Sequence, residues 1–341
     1  MRKFDFVIGN PPYQEVIEGK NDFAPAVYDK FLESAYSISD KVEMIHPARF
    51  LFNAGSTPED WNKKMLKDKH LKILFHEMDS SKIFANTDIK GGIAISYHDN
   101  KANFGPIEVF CPFPELDSIR LKASPSEDNS LMNVIYMQNR LNLDQLYKDY
   151  PEYKEIIGSG GKDKRFRNNI FDKVSLFTEA PKNDDDIKVI GLIKNKRVWR
   201  YLPAKYFDFV HENIHKWKVL VPAANGTGAL GEILSTPLIG SPLIGYTQSF
   251  IGIGAFDSEY EANAAFKYVK SKFARVMLGI LKVTQTNAKD SWRHVPLQDF
   301  TEKSDIDWSK SVSEIDQQLY KKYNLTQEEI DFIETHVKEM A

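Results

Sequence analysis

The run Asn10-Pro11-Pro12-Tyr13 combines residue types that could hold a flat amine. The Asn10 side chain offers one acceptor and two donors. The two prolines fix φ and contribute no N–H group, so a rigid turn aims their carbonyls. Tyr13 adds an aromatic face for stacking. These properties suit the exocyclic amino group of a nucleobase that has left its duplex; the alternative is a strand followed by a tight Pro-Pro turn without chemistry.

The elements around this run predict an α/β fold. An apolar run at residues 4–8 comes directly before Asn10 and predicts a buried strand. Further strands are predicted at 42–47, 71–77 and 92–97, with helices at 26–37 and 61–68. This alternation fits a parallel sheet with crossover helices, and residues 107–110 are expected to extend it.

The segment from Phe4 to Tyr13 resembles the catalytic motif of DNA methyltransferases that methylate the N(6) amino group of adenine. The resemblance implies that Asn10 and the Pro11 carbonyl accept hydrogen bonds from the amine, that Pro12 completes the motif, and that Tyr13 stacks on the flipped base. It also implies S-adenosylmethionine as methyl donor and double-stranded DNA as partner. The wider chain is similar to the type IIG branch of restriction–modification methylases.

Two later segments resemble further parts of the same family. Residues 48–52, Ala-Arg-Phe-Leu-Phe, resemble the segment just after the second strand of its catalytic half. Residues 88–97 resemble a late motif that forms a hairpin near the base pocket. For the second segment, a Gly-Gly turn that leads into a core strand is the interpretation that the sequence alone favours.

Composition limits the class of protein. The chain has 341 residues and a net charge of −3, from 45 basic and 48 acidic side chains. DNA affinity must therefore come from a local basic face. The single Cys111 excludes an internal disulfide framework and a zinc site built on several cysteines, and we expect no metal. We expect a cytoplasmic protein without a membrane span.

Composition also predicts the domain order. Residues 124–129 have the composition of a linker. We predict a partial Rossmann-like methyltransferase catalytic domain at 1–125, an α+β target-recognition domain at 126–300 and a helical tail at 301–341. The tail contains Thr326 and Glu329 at the spacing of a capping box.

Three basic and aromatic stretches are candidates for DNA contact, because Arg and Lys bind phosphates and Arg, Asn or Gln read base edges. Each stretch could instead be a solvated surface or a loop. The candidate residues are Lys164, Arg165 and Arg167 in the first stretch, which starts at Lys162; Lys196, Arg197 and Arg200 in the second, which starts at Lys194; and Lys282, Gln285, Asn287, Lys289, Trp292 and Arg293 in the third.

The cofactor-binding half of the family is not recognisable in the sequence. Gly252 and Gly254 form a Gly-x-Gly pattern, but a lone pattern of this kind is weak. A helix capped by Asp257 and running to Leu281 is expected after it, without the acidic strand end that a nucleotide site requires. We expect an incomplete S-adenosylmethionine site, which leaves three explanations open: a fragment of a longer methylase, one half of a split enzyme whose second polypeptide brings the cofactor domain, or a silent relic that binds DNA.

Three functions remain open at this point. The first is site-specific DNA adenine methylation within a restriction–modification system. The second is a DNA-binding specificity module without activity of its own, which the unrecognised cofactor loop favours. The third is a methyltransferase for small molecules or proteins, against which the long second domain argues.

Overall fold

The computed structural model describes residues 4–15, 24–157 and 164–340. The chain divides into two compact units. Unit 1 comprises residues 1–117 with the short segments 227–229 and 280–284, and unit 2 comprises the remainder. Within the described ranges, no helix combines the length and apolar character needed to cross a membrane. The three predicted domains stay a prediction.

Unit 1 is built on a four-stranded sheet with two helices. Its elements are β1 (Phe4–Gly9), α1 (Tyr28–Ile38), β2 (Ser39–Pro47), α2 (Glu59–Lys67), β3 (Leu71–Glu77) and β4 (Ile93–Asp99). The strand order is β1-β2-β4-β3. The predicted strands and helices are all present, with ends that differ by a few residues, and the predicted α/β class is confirmed. The prediction that the first strand is buried was wrong, because β1 is exposed along most of its length.

The directions of the strands correct the prediction of a parallel sheet. β1 and β2 run parallel, with Gly9 beside Met44. β4 runs antiparallel to both β2 and β3 and is inserted between them. β3 and β4 are joined by residues 78–92, which contain a 3-10 turn and no α-helix. Antiparallel neighbours need no crossover helix between them, whereas parallel neighbours usually do. Residues 107–110 form no strand, so the expected extension of the sheet was wrong.

One face of this sheet carries the core of unit 1. Tyr28, Leu32 and Ala35 recur at helical spacing on α1 and are buried. They contribute to a cluster with Val42 and Met44, which alternate along β2. The cluster also includes Phe50, Trp61, Met65 and Leu71. The packing holds β2 in place, and with it the point where the chain leaves the sheet.

His46 is a buried polar residue within this core. Its Nε2 lies 2.8 Å from the Ser96 hydroxyl and its Nδ1 lies 3.1 Å from the Pro47 carbonyl. Burial lowers the pKa of His46 to about 4, partly offset by the hydrogen bond to Pro47. The ring is therefore neutral near pH 7 and links β2 to β4.

The remaining elements form unit 2, with the division falling inside α3 (Pro114–Ala123). Its strands are β5 (Ile135–Tyr136), β6 (Arg140–Leu141), β7 (Ile187–Ile193), β8 (Lys196–Leu202), β9 (Phe207–Asp208), β10 (Trp217–Pro222), β11 (Leu238–Gly240), β12 (Ile244–Tyr246) and β13 (Phe250–Phe256). Its helices are α4 (Leu143–Asp149), α5 (Tyr153–Ile157), α6 (Ile170–Lys173), α7 (Glu259–Lys270), α8 (Lys272–Gly279), α9 (Val312–Lys322) and α10 (Gln327–His336).

In the described part of unit 2, the strands form three small sheets. Their orders are β11-β10-β13-β5, β12-β7-β8 and β6-β9. β7 and β8 make an antiparallel hairpin in register from Ile187–Leu202 to Ile193–Lys196. Lys194 and Asn195 form its two-residue turn, both at positive φ, as a type I′ turn requires.

The helices of unit 2 confirm one sequence expectation and correct another. Thr326 and Glu329 form the predicted capping box at the start of α10. The helix expected from Asp257 to Leu281 instead begins after Ser258, whose hydroxyl accepts the Glu261 N–H. It breaks at Ser271 into α7 and α8. Ser258 is the N-cap residue, and its backbone is extended, as an N-cap residue requires.

Candidate active site

The Asn10–Tyr13 run begins where β1 ends. Asn10 follows Gly9, the last residue of the strand, and its side chain is exposed. Pro11 is buried and Pro12 is exposed. Since β1 and β2 are parallel, Asn10 lies at the same edge of the sheet as the end of β2 at Pro47. We call this the carboxyl edge of unit 1.

Tyr13 is held by the segment that leads into α1. The Val27 N–H donates to the Tyr13 carbonyl at 3.2 Å, and the Glu15 N–H donates to the Pro25 carbonyl at 3.0 Å. Burial raises the pKa of the half-buried Tyr13 phenol, and the Asn10 side chain opposes that shift. The two side chains are therefore neighbours, although they do not reach hydrogen-bond geometry.

Two acceptors at this edge have no internal donor. Within the described ranges, no N–H or O–H group donates a hydrogen bond to Asn10 Oδ1 or to the Pro11 carbonyl. An amide oxygen and a carbonyl oxygen on neighbouring residues can together accept both hydrogens of a primary amine. The arrangement has the acceptors that the sequence predicted for an adenine amine.

The end of β2 leads into a second segment of the carboxyl edge. Arg49–Phe52 form a 3-10 turn directly after it. The Arg49 Nε donates to the Lys90 carbonyl at 2.6 Å, and the Ala48 N–H donates to the Gly92 carbonyl at 3.0 Å. Residues 48–52 are thereby joined to the loop of residues 88–92, which precedes β4.

The loop of residues 88–92 is also fixed to the end of β3. His76 Nε2 lies 3.1 Å from the Gly91 carbonyl, and burial lowers the pKa of this imidazole. Gly92 has a φ of +77°, and a Cβ there would overlap the Glu77 carbonyl. The three segments that the resemblance identified therefore meet at one edge. A backbone hydrogen bond and the side chains of Arg49 and His76 join residues 48–52 and the end of β3 to the loop of residues 88–92.

β1 forms one border of the sheet and leaves its outer edge unpaired in the described chain. Phe4, Phe6 and Ile8 are 56%, 44% and 72% exposed. The Phe6 ring stacks on Tyr97 of β4, with 6.4 Å between centroids. Strands with this apolar composition are usually buried inside a sheet, and an open edge of this kind favours pairing with a further strand.

The described residues do not fit a complete S-adenosylmethionine site. Gly252 and Gly254 lie inside β13, where the space a Cβ would take is filled by Tyr246 and Phe256. Residues 226–231 read Gly-x-Gly-x-x-Gly, but no helix follows them. The Glu232 carboxylate covers Gly226, and the backbone of Val337 covers Gly231. Both glycine patterns are packed by the protein itself and leave no cradle for a nucleotide.

In the first predicted DNA-binding stretch, some of the side chains pack against the protein. Lys162 lies outside the described residues. Lys164 and Arg165 are half-buried, and Lys164 lies 3.8 Å from the Asp208 carboxylate. Between them and the exposed Arg167, the Phe166 ring is fully buried in the core of unit 2. The buried Phe166 therefore anchors the centre of the stretch, and the basic side chains lie on either side of it.

The second stretch occupies the tip and outer strand of the β7–β8 hairpin. Lys194 and Lys196 are exposed, and neither has a hydrogen-bond or ion-pair partner within the described ranges. Arg197 donates to the Ser235 and Thr236 carbonyls, and Arg200 pairs with Glu179 at 3.0 Å. The tip therefore carries free positive charge, and the two arginines behind it are already bound.

The third stretch separates into buried and exposed residues. Trp292 is fully buried, Asn287 donates to the Pro222 carbonyl at 2.8 Å, and the buried Lys282 donates to the Thr284 carbonyl at 3.1 Å. Burial gives these three side chains packing roles, so we do not retain them as DNA contacts. Exposed or half-buried side chains remain as candidates: Gln285, Lys289 and Arg293.

Comparison with known proteins identifies the N-terminal part of the chain. Residues 1–84 match the model of the Eco57I restriction-modification methylase family. Over these residues the chain is similar to that family. The match covers β1, the Asn10–Tyr13 run, β2 and β3, so it includes two of the three segments of the carboxyl edge, and the family suggested by the sequence is confirmed.

A curated relative and a solved structure extend the comparison. An uncharacterized adenine-specific methylase from Mycoplasma pneumoniae is 35% identical over 94 residues, which is 27% of this chain and 22% of the relative. The chain thus spans about a fifth of the relative's length. The type IIG restriction endonuclease BpuSI aligns with 87% of this chain and 44% of its own, at 10% identity and a TM-score of 0.30. At that score the likeness carries no argument, and the fold described above rests on the chain's own topology.

Sequence reasoning gave no individual role to Arg49 or to its contact with the loop of residues 88–92. The signal was present, because Arg49 directly follows a strand that ends at the same edge as Asn10. The two glycines against which it packs, Gly55 and Gly91, are both at positive φ.

Proposed function

We propose that this chain supplies the adenine-binding edge and a DNA-binding unit of an S-adenosylmethionine-dependent DNA adenine N(6)-methyltransferase of a restriction–modification system. One observation carries the proposal: Asn10 Oδ1 and the Pro11 carbonyl are neighbouring acceptors without an internal donor in the described chain. They stand at the end of β1, within the residues that match a restriction-modification methylase family.

The proposed work of these residues is to bind and orient the amine. Asn10 Oδ1 and the Pro11 carbonyl accept its two hydrogens and thereby draw its lone pair out of conjugation with the ring. Tyr13 stacks on the extruded base, and its backbone bond to Val27 fixes the position of the Tyr13 backbone. Positioning of this kind contributes to catalysis through orientation, without a covalent enzyme intermediate.

The methyl donor requires residues that the described chain does not provide. We propose that a further segment or a second polypeptide pairs with the open edge of β1 and brings the cofactor site. The exposed Phe4, Phe6 and Ile8 support this, because they alternate along β1 and so share one face, on which elements that accompany an added strand would pack. The cell compartment proposed for such an enzyme is the cytoplasm, where its DNA substrate lies.

DNA contacts in unit 2 are proposed at the β7–β8 hairpin. Lys194 and Lys196 are exposed and, in the described chain, carry unpaired charge at a tight turn. Phosphate contacts of this type position a protein on DNA without reading sequence. The exposed Arg167, Gln285 and Arg293 remain further candidates.

A second function is favoured by one specific observation. Since both glycine patterns of the described chain are filled by protein atoms, the chain by itself could serve as a DNA-binding specificity module without activity. Calorimetric titration of the 341-residue chain with S-adenosylmethionine, followed by a methylation assay on mixed-sequence DNA, separates the two. Binding and methylation together support a complete enzyme. DNA binding without cofactor binding supports the module or a split enzyme, and activity restored by a cofactor-binding partner supports the latter.

A further inference from the structure

Arg49 is a cation held rigidly along its side chain. Its Nε donates to the Lys90 carbonyl at 2.6 Å. A Cβ added to Gly55 would lie 3.1 Å from Arg49 Cβ and Cδ, and one added to Gly91 would lie 3.0 Å from Arg49 Cγ. The aliphatic part of the side chain therefore lies against the backbone of two glycines, and little rotamer freedom remains to be lost on binding.

The far end of the same side chain is not used by the protein. Within the described ranges, neither terminal nitrogen of Arg49 has a hydrogen-bond or ion-pair partner. Neither is among the buried polar atoms that lack a partner, so neither is fully buried in the half-buried Arg49. A guanidinium with a fixed Nε and two free terminal nitrogens presents a planar fork, which suits two oxygens of a phosphate.

A chain of contacts links Arg49 to the Asn10–Tyr13 run. The Val27 N–H reaches the Tyr13 carbonyl, and the adjacent Ala26 N–H donates to the Ser56 hydroxyl at 3.2 Å. Ser56 follows Gly55, against which Arg49 lies. Tyr28 follows Val27 in the chain. Burial raises the pKa of Tyr28 to about 12, and the nearby charge of Arg49 opposes this rise. Arg49 and Tyr13 thus flank one short stretch of the carboxyl edge.

We propose that Arg49 binds a DNA backbone phosphate next to the nucleotide whose base is held by Asn10 and Tyr13. The proposal rests on the function proposed above. Binding there would fix the DNA backbone at the point where the extruded nucleotide leaves the duplex. It would also link the phosphate, through the Lys90 carbonyl, to the loop of residues 88–92 at the same edge. Arg49 would act as a positioning residue, since it touches neither the amine nor the methyl donor.

The test compares binding of a mixed-sequence duplex by the full chain across a salt series for the wild type and three variants. Arg49→Gln removes one phosphate contact, so the slope of log affinity against log salt should fall by about 0.9. Arg49→Lys keeps the charge and should keep the slope. Lys90→Gln is the matched control, because the neighbouring Lys90 ammonium is paired with Asp88 at 2.8 Å, and its slope should equal that of the wild type.

The outcomes separate this inference from the proposed function. If the wild-type chain fails to bind DNA at low salt, the proposed DNA substrate and the role of Arg49 fail together. If it binds and Arg49→Gln leaves the slope unchanged, only the role of Arg49 fails. A purely structural Arg49 is shown by equal losses of affinity and thermal stability in Arg49→Gln and Arg49→Lys with no difference in slope, and this also overturns the proposal.

Discussion

The Val27 N–H donates to the Tyr13 carbonyl at 3.2 Å, which ties the end of the Asn10–Tyr13 run to the residue before α1. α1 is itself fixed by the buried Tyr28, Leu32 and Ala35. The position of the Tyr13 backbone is therefore set by the core of unit 1. Truncating the side chains of this run should remove their chemistry without displacing the loop.

This relationship gives the first prediction. In the complete enzyme, Asn10→Ala or Tyr13→Ala should reduce the methylation rate by about 100-fold or more, since each removes a group that orients the reacting amine. Affinity for DNA should change little because both side chains contact one base. Methylation is measured by transfer of labelled methyl groups to DNA and binding by fluorescence anisotropy. Gln14→Ala is the control next to the run, as the exposed side chain of Gln14 has no assigned contact with the base. Full methylation by Asn10→Ala would refute the proposed role.

The second prediction concerns the close approach of Gly92 to β3. Gly92→Ala combines a φ of +77° with overlap of the Glu77 carbonyl, whereas Gly105→Ala has a φ of +81° and open space around its Cβ. Both variants carry the strain of a left-handed backbone, about 1 kcal/mol. Gly92→Ala should cost at least about 2 kcal/mol more in the free energy of unfolding, because backbone atoms must shift. Urea unfolding of both variants measures the difference, and equal midpoints would contradict the close packing of the loop of residues 88–92.

A third prediction separates packing from DNA contact at Trp292. Its ring is fully buried and, within the described ranges, its Nε1 has no partner. Trp292→Ala should cost about 3–5 kcal/mol of stability, and Trp292→Phe considerably less, since it keeps most of the ring and loses no hydrogen bond. The salt dependence of DNA binding by Trp292→Phe should equal that of the wild type. A reduced affinity in a variant with native stability would restore Trp292 as a DNA contact.

The sequence predicted the elements of unit 1 well because strong local signals agree there. The apolar run before Asn10, Pro47 at the end of β2 and the helical spacing of Tyr28, Leu32 and Ala35 all point to the observed structure. The insertion of β4 between β2 and β3 was not predictable in the same way. Pairing partners depend on contacts between distant residues, which periodicity does not encode.

The candidate DNA contacts also depend on tertiary structure that local sequence patterns do not encode. Lys196 and Trp292 both lie in basic, aromatic stretches of similar composition. One stands at an exposed hairpin and the other in a core. Composition predicts that a stretch is polar on average, but the exposure of a single side chain is decided by tertiary packing. The Nε bond from Arg49 to Lys90 joins residues 41 positions apart, and no local pattern reveals it.

The fourth prediction is a loss of stability in acid that depends on His46. Burial lowers the pKa of its imidazole to about 4, from an ordinary 6.5. The unfolded chain therefore binds this proton more readily than the folded one. Stability is fully present above about pH 6.5 and is lost as pH falls toward 4, by about 3 kcal/mol at most. Unfolding in urea at pH 7 and pH 4.5 should show a smaller difference for His46→Gln than for the wild type. An unchanged difference would assign the acid sensitivity to other groups, among them His294, whose pKa burial also lowers to about 4.

The last prediction tests the β7–β8 hairpin as a phosphate-binding element. Lys194 and Lys196 are exposed, and neither is paired in the described chain. If each neutralises one phosphate, the double variant Lys194→Ala/Lys196→Ala should lower the slope of log affinity against log salt by about 1.8. Lys63→Ala is the matched control, since that exposed lysine is paired with Glu59 at 2.7 Å, and its slope should not change.

The hairpin turn is fixed by the backbone of residues 194 and 195, so Lys194→Asn is a milder variant that keeps a residue tolerant of positive φ. A double variant with the wild-type slope would place the DNA on a different surface of unit 2, and the exposed Arg167 and Arg293 would be the next residues to neutralise.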